Sequence, residues 1–274
     1  MGRRGLMVRQ RLYPASKAVR IRSAPWNRNA SASSEETELE PVASVPCPGG
    51  AAWSSMLVSL AILSLFVVAM LGFRVLYTRS SDHIAITWNL FLAWIPLVAA
   101  LIISDRARTG VSNAVLAAVA AVWLMFLPNA PYMITDLKYV GHSDRVPVLY
   151  DVLLLSAAAW TGLLLGLTSL LLIHAIARRF LSTVQAWALV VAVLALSSFG
   201  IYLGRIQRWN SWDVFIRPAA LLDAAWNAVL HPRPIAMTIL FTCFLVAVYL
   251  VLYSFATRPP GFYARLQGHE AERQ

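Results

Sequence analysis

Charged residues are scarce in this chain, at 13% of its 274 residues, which is about half the share in a soluble domain. Apolar residues make up 59%, and the mean hydropathy is +0.64, so an ordinary soluble domain is excluded. The two cysteines, Cys47 and Cys243, form no C-x-x-C pattern, which argues against a disulfide framework. The sequence also lacks a glycine-rich phosphate loop and a nucleophile elbow.

The apolar residues are gathered into six runs, each close to the roughly 20 residues that a membrane-spanning helix needs. We predict spans at 52–73, 84–103, 111–127, 148–173, 184–204 and 235–256. Backbone groups in the bilayer must form hydrogen bonds within their own segment, so each run is predicted to be a helix. The predicted fold class is therefore all-α, an integral membrane bundle of six transmembrane helices.

The two ends of the chain differ from this membrane domain, which we place at residues 51–257. Residues 1–50 are basic and then acidic, and they predict a disordered cytoplasmic tail. Residues 258–274 form a short C-terminal tail. The positive-inside rule favours cytoplasmic termini because of the basic N-terminal tail, while the loops alone are nearly balanced. Much of the net charge of +10 lies in the tail and in loops beside the spans, so we do not expect nucleic-acid binding.

Polar residues gather at one end of the predicted bundle, where the loops after spans 1, 3 and 5 lie. We call this the polar end. It receives Asn89 from span 2, residues 126–136 after span 3, Tyr150 and Asp151 from span 4, and residues 200–213 from span 5. Helical spacing puts four residues on one face of span 5, namely Ser198, Tyr202, Arg205 and Trp209. Charges at membrane depth usually face a partner, so we expect Arg205 to pair with Asp151 or Asp136.

Several strings at this end resemble the bacterial membrane family called domain of unknown function 1361. They are Phe126-Leu-Pro-Asn-Ala-Pro-Tyr132 with Thr135-Asp136, Tyr150-Asp151, and Gly200-Ile-Tyr-Leu-Gly-Arg205 with Asn210-Ser-Trp-Asp213. The resemblance covers roughly residues 80–255. It implies a polytopic protein of the bacterial inner (plasma) membrane whose biochemical role is not assigned, and it supplies no catalytic residue.

The same residues support two interpretations. In the first they form a binding site, because a guanidinium group suits phosphate as well as carboxylate. The substrate-binding candidates are Asn89, Asn129, Tyr132, Tyr202, Arg205, Arg208, Asn210 and Asp213, and the catalytic candidates are Asp136 and Asp151 as a general base. In the second the polar residues close turns and pair structurally, and the aromatic residues form an interfacial belt. That belt would comprise Trp88, Trp123, Trp209, Trp212, Tyr132, Tyr139 and Tyr150.

Three local patterns carry structural predictions. Residues 214–230 are typical of an interfacial helix between spans 5 and 6, which Asp213 would cap. Pro96 is expected to kink span 2. Gly162 and Gly166 form a GxxxG motif, which indicates close helix packing. The histidines are scattered without metal-ligand spacing, including His142 near Asp136 and Asp144, so we expect no metal and no cofactor.

Three functional classes remain open, and the sequence leaves undecided whether the protein is an enzyme. The first is an outer-leaflet site that binds or processes a phosphate-bearing, lipid-linked substrate, with the bilayer and an anionic lipid as partners. The second is a small-solute transporter, although the other half of the bundle offers only Thr161, Thr168, Ser169 and His174 as polar groups. The third is a non-catalytic scaffold or assembly protein. The oligomeric state is not predicted.

Overall fold

A computed structural model describes residues 51–80, 83–109, 112–141 and 146–257. These ranges are largely helical and contain no strand. The helices are α1 Ala51–Thr78, α2 Ala85–Thr109, α3 Asn113–Phe126, α4 Asn129–Tyr132, a 3₁₀ helix Met133–Tyr139, α5 Val148–Ala177, α6 Thr183–Ile206, α7 Asp213–Ile216, α8 Pro218–Val229 and α9 Pro232–Ala256. The predictions for the two tails, 1–50 and 258–274, lie outside the described residues.

Six stretches of these helices are long and apolar enough to cross a membrane, which confirms the predicted fold class. They are Trp53–Thr78, Ala85–Arg106, Asn113–Tyr139, Val148–Ala177, Thr183–Ile206 and Pro232–Ala256. The third span differs from the predicted 111–127, because it continues through α4 and the 3₁₀ helix. The protein is therefore a multi-pass helical membrane protein, while its orientation and the identity of its membrane remain predictions.

Helices α2 and α5 form the centre of the bundle and pack against each other along their length. Helix α1 packs on α5, and α3 packs along α2. Helix α6 forms a second pair with α9, and this pair makes fewer contacts with α5. Apolar side chains such as Leu97 and Leu165 are completely buried between the central helices. The bundle thus consists of a tight group, α1, α2, α3 and α5, with the α6–α9 pair beside it.

Two prolines shape the second half of the third span, where α3 ends and α4 begins. Pro128 follows α3 and Pro131 lies within α4, and each lacks a backbone N–H, so the regular hydrogen-bond ladder stops. The side-chain amide of Asn129 donates to the carbonyl of Phe126 over 3.2 Å, which satisfies an acceptor at the end of α3. The chain then turns inward, and Ala130 is completely buried.

The GxxxG motif of α5 explains how α4 can pack so closely against α5 after this inward turn. A β-carbon at Gly162 would overlap the carbonyl oxygen of Ala130, and one at Gly166 would lie 2.8 Å from the Ala130 side chain. The two glycines therefore admit α4 against α5, which confirms that the motif serves close packing. The partner is a short helix at the polar end, so the motif positions the site described below.

The remaining two structural patterns have different outcomes. Helix α2 runs through Pro96 as one helix, and a kink there remains a prediction. Residues 214–230 are helical as expected, but they form two helices, α7 and α8, separated by Arg217. Their position at a membrane interface is still a prediction.

At the end opposite the polar end, a buried aromatic cluster joins α5, α6 and α9. His174 Nδ1 lies 2.7 Å from the Tyr249 hydroxyl, and the His174 ring contacts Trp187 and Tyr253. This contact gives one ring nitrogen of His174, which is 1% exposed, a polar partner within the apolar bundle.

Candidate functional site

Arg205, in the last turn of α6, is the centre of a polar network at the polar end. Its Nη2 atom lies 2.5 Å from Asp136 Oδ1, and its Nε donates to the Thr135 hydroxyl over 2.6 Å. The other carboxylate oxygen of Asp136 accepts a hydrogen bond from the Asn89 amide over 3.2 Å. The network therefore connects α2, the 3₁₀ helix and α6. The predicted pairing of Arg205 is confirmed, with Asp136 as the partner.

Two tyrosine rings complete the surroundings of Arg205. Its guanidinium carbon lies 4.6 Å from the centre of the Tyr132 ring and 5.6 Å from that of Tyr139, within the range of cation–π attraction. Only 12% of the Arg205 side chain and 6% of the Asp136 side chain are exposed. The two opposite charges are thus enclosed together, and each offsets the other.

Asp151 pairs with Arg74, which lies just outside the predicted bounds of span 1, 52–73. Its two carboxylate oxygens accept hydrogen bonds from Arg74 Nε and Nη2 over 2.8 and 3.3 Å, and both side chains are completely buried. The alternative pairing of Asp151 with Arg205 is therefore wrong. The physical reason is that α1 continues to Thr78, past the predicted end of span 1, which brings Arg74 inside the bundle beside α5. The Tyr150 hydroxyl donates to the Met70 carbonyl over 2.6 Å and strengthens the same junction.

Asp213 organises the loop after α6. Its carboxylate accepts the backbone N–H of Asn210 over 2.7 Å and a longer bond, 3.4 Å, from Arg217. The Asn210 hydrogen bond holds the pKa of the Asp213 carboxyl below its ordinary value, and Arg217 acts in the same direction. The predicted role as a helix cap is wrong, because Asp213 is already the first residue of α7 and its side chain turns back to Asn210. It therefore closes the loop.

Asn129 and Thr135 make the turn and pairing contacts that the second, structural interpretation predicts. The Thr135 hydroxyl donates to the Tyr132 carbonyl over 2.6 Å, which is a local turn bond, and it also accepts from Arg205. Asn129 bonds its own turn and donates to the Ser211 hydroxyl over 2.8 Å. These residues close turns and also attach those turns to α6 and to the loop that follows it.

A cavity of about 1240 Å³ lies beside this network. Its polar wall consists of Asn89, Asn129, Lys138, Arg205, Arg208, Asn210 and Ser211, and aromatic side chains add Trp88, Tyr132, Tyr139, Trp209 and Trp212. Its apolar walls come from α3, α6, α7 and α8. Within the described residues, the lining includes three cationic side chains and no carboxylate.

Arg208 and Lys138 differ from Arg205 in having no carboxylate partner within the described part of the chain. Arg208 has a backbone φ of 63°, and the turn lets the Trp209 N–H donate to the Leu203 carbonyl over 3.2 Å. Glycine or asparagine usually occupies a left-handed position after a helix. Arginine in this conformation costs about 1 kcal/mol, yet it brings a guanidinium to the cavity.

The predicted site residues thus divide into two groups. The cavity is lined by Asn89, Asn129, Tyr132, Arg205, Arg208 and Asn210, whereas Asp136, Asp151, Tyr202 and Asp213 are not part of its wall. Sequence reasoning missed Lys138 as a cavity residue and Arg74 as a buried partner. Lys138 could have been found, since it lies two residues after Asp136. Arg74 gave no such signal, because it stands where an apolar run ends.

The aromatic belt needs one correction. Trp123 is 5% exposed, and its indole N–H donates to the Ser169 hydroxyl over 3.1 Å, so it belongs to the core. Trp88, by contrast, is 52% exposed and also borders the cavity.

Among the described residues no three of His, Cys, Asp and Glu converge as a metal site would require. His142 and Asp144 lie outside those residues.

The fold and the site define a six-span helical membrane protein with an ion-paired polar end and an adjoining cationic cavity. A family model described as "Protein of unknown function (DUF1361)" matches residues 88–248. The chain belongs to that family, as its sequence strings indicated. No curated protein and no solved structure matches the chain. The matched region contains α3–α8 and all the residues that line the cavity.

Proposed function

We propose that the polar end binds the anionic group of a phosphate-bearing, lipid-linked substrate at the extracytoplasmic face of the membrane. The observation that carries this proposal is the cavity, in which Arg208 and Lys138, two cations without a carboxylate partner among the described residues, adjoin apolar walls. Such a combination is complementary to an amphipathic anion, with a charged group at one end and hydrocarbon at the other. Aromatic side chains at the same level, such as Trp88 and Trp209, provide surfaces for a sugar or an isoprenoid unit.

Within this site, the cations have different roles. The charge of Arg205 is offset by Asp136 at 2.5 Å, so Arg205 adds little net potential and mainly fixes the cavity wall. Arg208 and Lys138 supply the net positive charge. A guanidinium fork binds two phosphate oxygens at once, whereas an ammonium group acts as a point charge. Arg208 is therefore the proposed primary anion ligand, with Lys138 in support.

The geometry supports binding better than acid–base catalysis. A general base needs a carboxylate within hydrogen-bond reach of the reacting group. Asp136 and Asp151 are each held by an arginine, and neither borders the cavity. A catalytic role for either residue would require the pair to open, so we propose a binding function and leave catalysis outside the proposal.

The transporter alternative has less support from the structure. Three polar residues of the other half of the bundle already have partners inside the protein: Thr161 donates to the Ala157 carbonyl, Ser169 donates to the Gly166 carbonyl, and His174 Nδ1 lies against the Tyr249 hydroxyl. None of the three lines the cavity.

A scaffold role is favoured by the Arg205 network, which holds three elements together and needs no ligand.

The test is phosphate binding by the purified full-length protein in detergent. Arg208→Gln and Lys138→Gln remove the two unpaired charges, and Arg233→Gln is the control, since it removes an exposed charge near the start of α9 that is outside the cavity. Thermal stability is measured with inorganic pyrophosphate and with farnesyl phosphate, because a ligand that binds the folded state raises apparent stability.

We expect both ligands to raise the melting temperature of the wild type and of Arg233→Gln. A charge-assisted hydrogen bond contributes about 1.5–3 kcal/mol, so Arg208→Gln should weaken binding roughly 10- to 100-fold. A folded Arg208→Gln protein with unchanged affinity for both ligands would contradict the assignment of Arg208. No stabilisation of the wild type by either ligand would favour the scaffold alternative.

A further inference from the structure

The apolar part of the cavity lies between α3 and α6. Helix α3 belongs to the tight group of helices, and α6 belongs to the α6–α9 pair. Helix α3 packs along α2, and α6 packs along α9. Within the described residues α3 and α6 have no extensive contact with each other, yet both line the cavity. From α3 the wall receives Ala118, Ala121, Val122 and Met125, and from α6 it receives Leu196, Phe199 and Leu203. We call this space between the two helices the α3–α6 slot.

The slot extends well away from the polar end. Ala118 precedes the end of α3 at Phe126 by two turns, which corresponds to about 12 Å along the helix axis. On α6, Leu196 precedes Ile206 by a similar distance. The slot therefore reaches into the depth that hydrocarbon chains occupy in a bilayer. A phosphate ion or a soluble phosphate ester would have no group to place there.

The slot is also open at its side. Ala118, Ala121 and Val122 are exposed on α3, and Leu196 on α6 is 50% exposed. Helices α7 and α8 also border the cavity with apolar side chains, but the polar side of the cavity carries the exposed Lys138, Arg208 and Asn210 as well. Among the described residues, the opening between α3 and α6 is flanked by exposed apolar side chains alone, which match the hydrocarbon of a bilayer.

We propose that the ligand reaches the cavity sideways from the bilayer and that its hydrocarbon chain occupies the α3–α6 slot. The inference rests on the proposed function, since the anionic group of the same molecule lies against Arg208 and Lys138. The ligand is then a membrane-resident phosphate with at least one long chain. A diacylglycerol phosphate and an isoprenoid phosphate share this chemistry, and their chains distinguish them.

Filling the slot tests the proposal. Ala121→Trp places an indole in the slot without altering a charge. Ala117→Trp is the matched control, because Ala117 is also exposed on α3 but does not line the cavity. Leu196→Trp fills the slot from the opposite wall, with Val191→Trp as its control on α6. This second pair keeps the test valid if Ala121→Trp fails to fold.

Three phosphates are used as probes with the full-length protein in phosphatidylcholine nanodiscs: phosphatidate, farnesyl phosphate and glycerol 3-phosphate. We expect the wild type to bind a chain-bearing probe at least tenfold more tightly than glycerol 3-phosphate. Ala121→Trp and Leu196→Trp should each remove most of that tenfold difference, and the two control variants should retain it. Loss for phosphatidate alone or for farnesyl phosphate alone would support the proposal and identify the type of chain.

Other outcomes would overturn this inference and leave the proposed function intact. In one, the wild type binds glycerol 3-phosphate as tightly as the chain-bearing probes, and Arg208→Gln weakens all three. In another, the slot variants keep full affinity for the lipid phosphates but dissociate an oligomer, which would mean that a second copy fills the slot. If no probe binds to the wild type, the proposed function fails as well.

Discussion

The most informative perturbation is Arg205→Met, because it distinguishes a structural arginine from a ligand-binding one. The variant removes the cationic partner of Asp136 and leaves that carboxylate, 6% exposed, with the Asn89 amide as its hydrogen-bond partner among the described residues. Breaking a buried ion pair in this way costs about 3–5 kcal/mol. The lost cation–π contacts add roughly 0.5–2 kcal/mol. Since 12% of the Arg205 side chain reaches solvent, the lower end of the sum, about 3.5 kcal/mol, is the better expectation.

A loss of this size is large against the roughly 5–15 kcal/mol that stabilises a typical folded protein. We therefore expect Arg205→Met to yield much less folded protein in the membrane. Adding Asp136→Asn removes the stranded charge, so the double variant should recover at least about 1 kcal/mol of the loss. Arg208→Met removes an exposed side chain without an ion pair and should change stability by less than about 0.5 kcal/mol.

The assay is unfolding in mixed detergent micelles, followed by tryptophan fluorescence, together with pyrophosphate binding by each folded variant. The reasoning would be refuted if Arg205→Met were as stable as the wild type and had lost phosphate binding. That result would make Arg205 a ligand residue. It would also mean that Asp136 is stable in the bundle without a cationic partner.

Two further predictions concern the elements around the cavity. Gly162→Ala should destabilise the protein in the same unfolding assay, because the new β-carbon would overlap the Ala130 carbonyl. Gly72→Ala is the control: a β-carbon there meets nothing within 4 Å, so this variant should be neutral or stabilising by up to about 1 kcal/mol. Equal effects of the two variants would contradict the packing of α4 on α5. The folded state holds the Asp213 pKa below its ordinary value of 3.8, so the carboxylate stabilises the loop at neutral pH, and this contribution is lost as the pH falls through the lowered pKa. Stability measured between about pH 5 and pH 2 should therefore converge for wild type and Asp213→Asn, and a constant difference would contradict the Asn210 and Arg217 contacts.

The spans could be predicted from the sequence because they depend on local composition. A run of about 20 apolar residues has only one stable conformation in hydrocarbon, whatever its neighbours are. The polar end could be predicted for a similar reason, since alternating spans place every second loop on the same side. Even the choice of Arg205 as an interior residue followed from its place at the end of a span.

The pairing of the charges could not be predicted to the same degree. Asp136 and Asp151 were equivalent partners for Arg205 in the sequence, because both lie at the same level of the bundle. The structure separates them through the length of α1, which brings Arg74 to Asp151 over 2.8 Å. Where α1 ends depends on a tertiary contact, since a buried guanidinium is tolerated only beside a carboxylate.

The cavity is a second feature that could not be predicted from the sequence. Its polar residues were candidates individually, but its volume depends on α3 following α2 while α6 follows α9. No residue pattern in α3 or α6 specifies that separation. Arg205 and Arg208 are both binding candidates in the sequence. The structure pairs Arg205 with Asp136 and leaves Arg208 without a carboxylate partner among the described residues.

The two buried ion pairs are better explained by geometry than by stability. Apolar residues of similar volume often stabilise a fold as well as or better than a buried ion pair, because the charges must be desolvated. Here each pair fixes one helix to another element: Arg74 fixes α1 to α5, outside the cavity wall, and Arg205 fixes α6 to the 3₁₀ helix, both of which line the cavity. The Arg205→Met/Asp136→Asn variant tests this view, because it should regain stability without regaining the directed contacts to Thr135 and Asn89. If its affinity for pyrophosphate equals that of the wild type, the ion pair does not position Arg208, and the site depends on Arg208 and Lys138 alone.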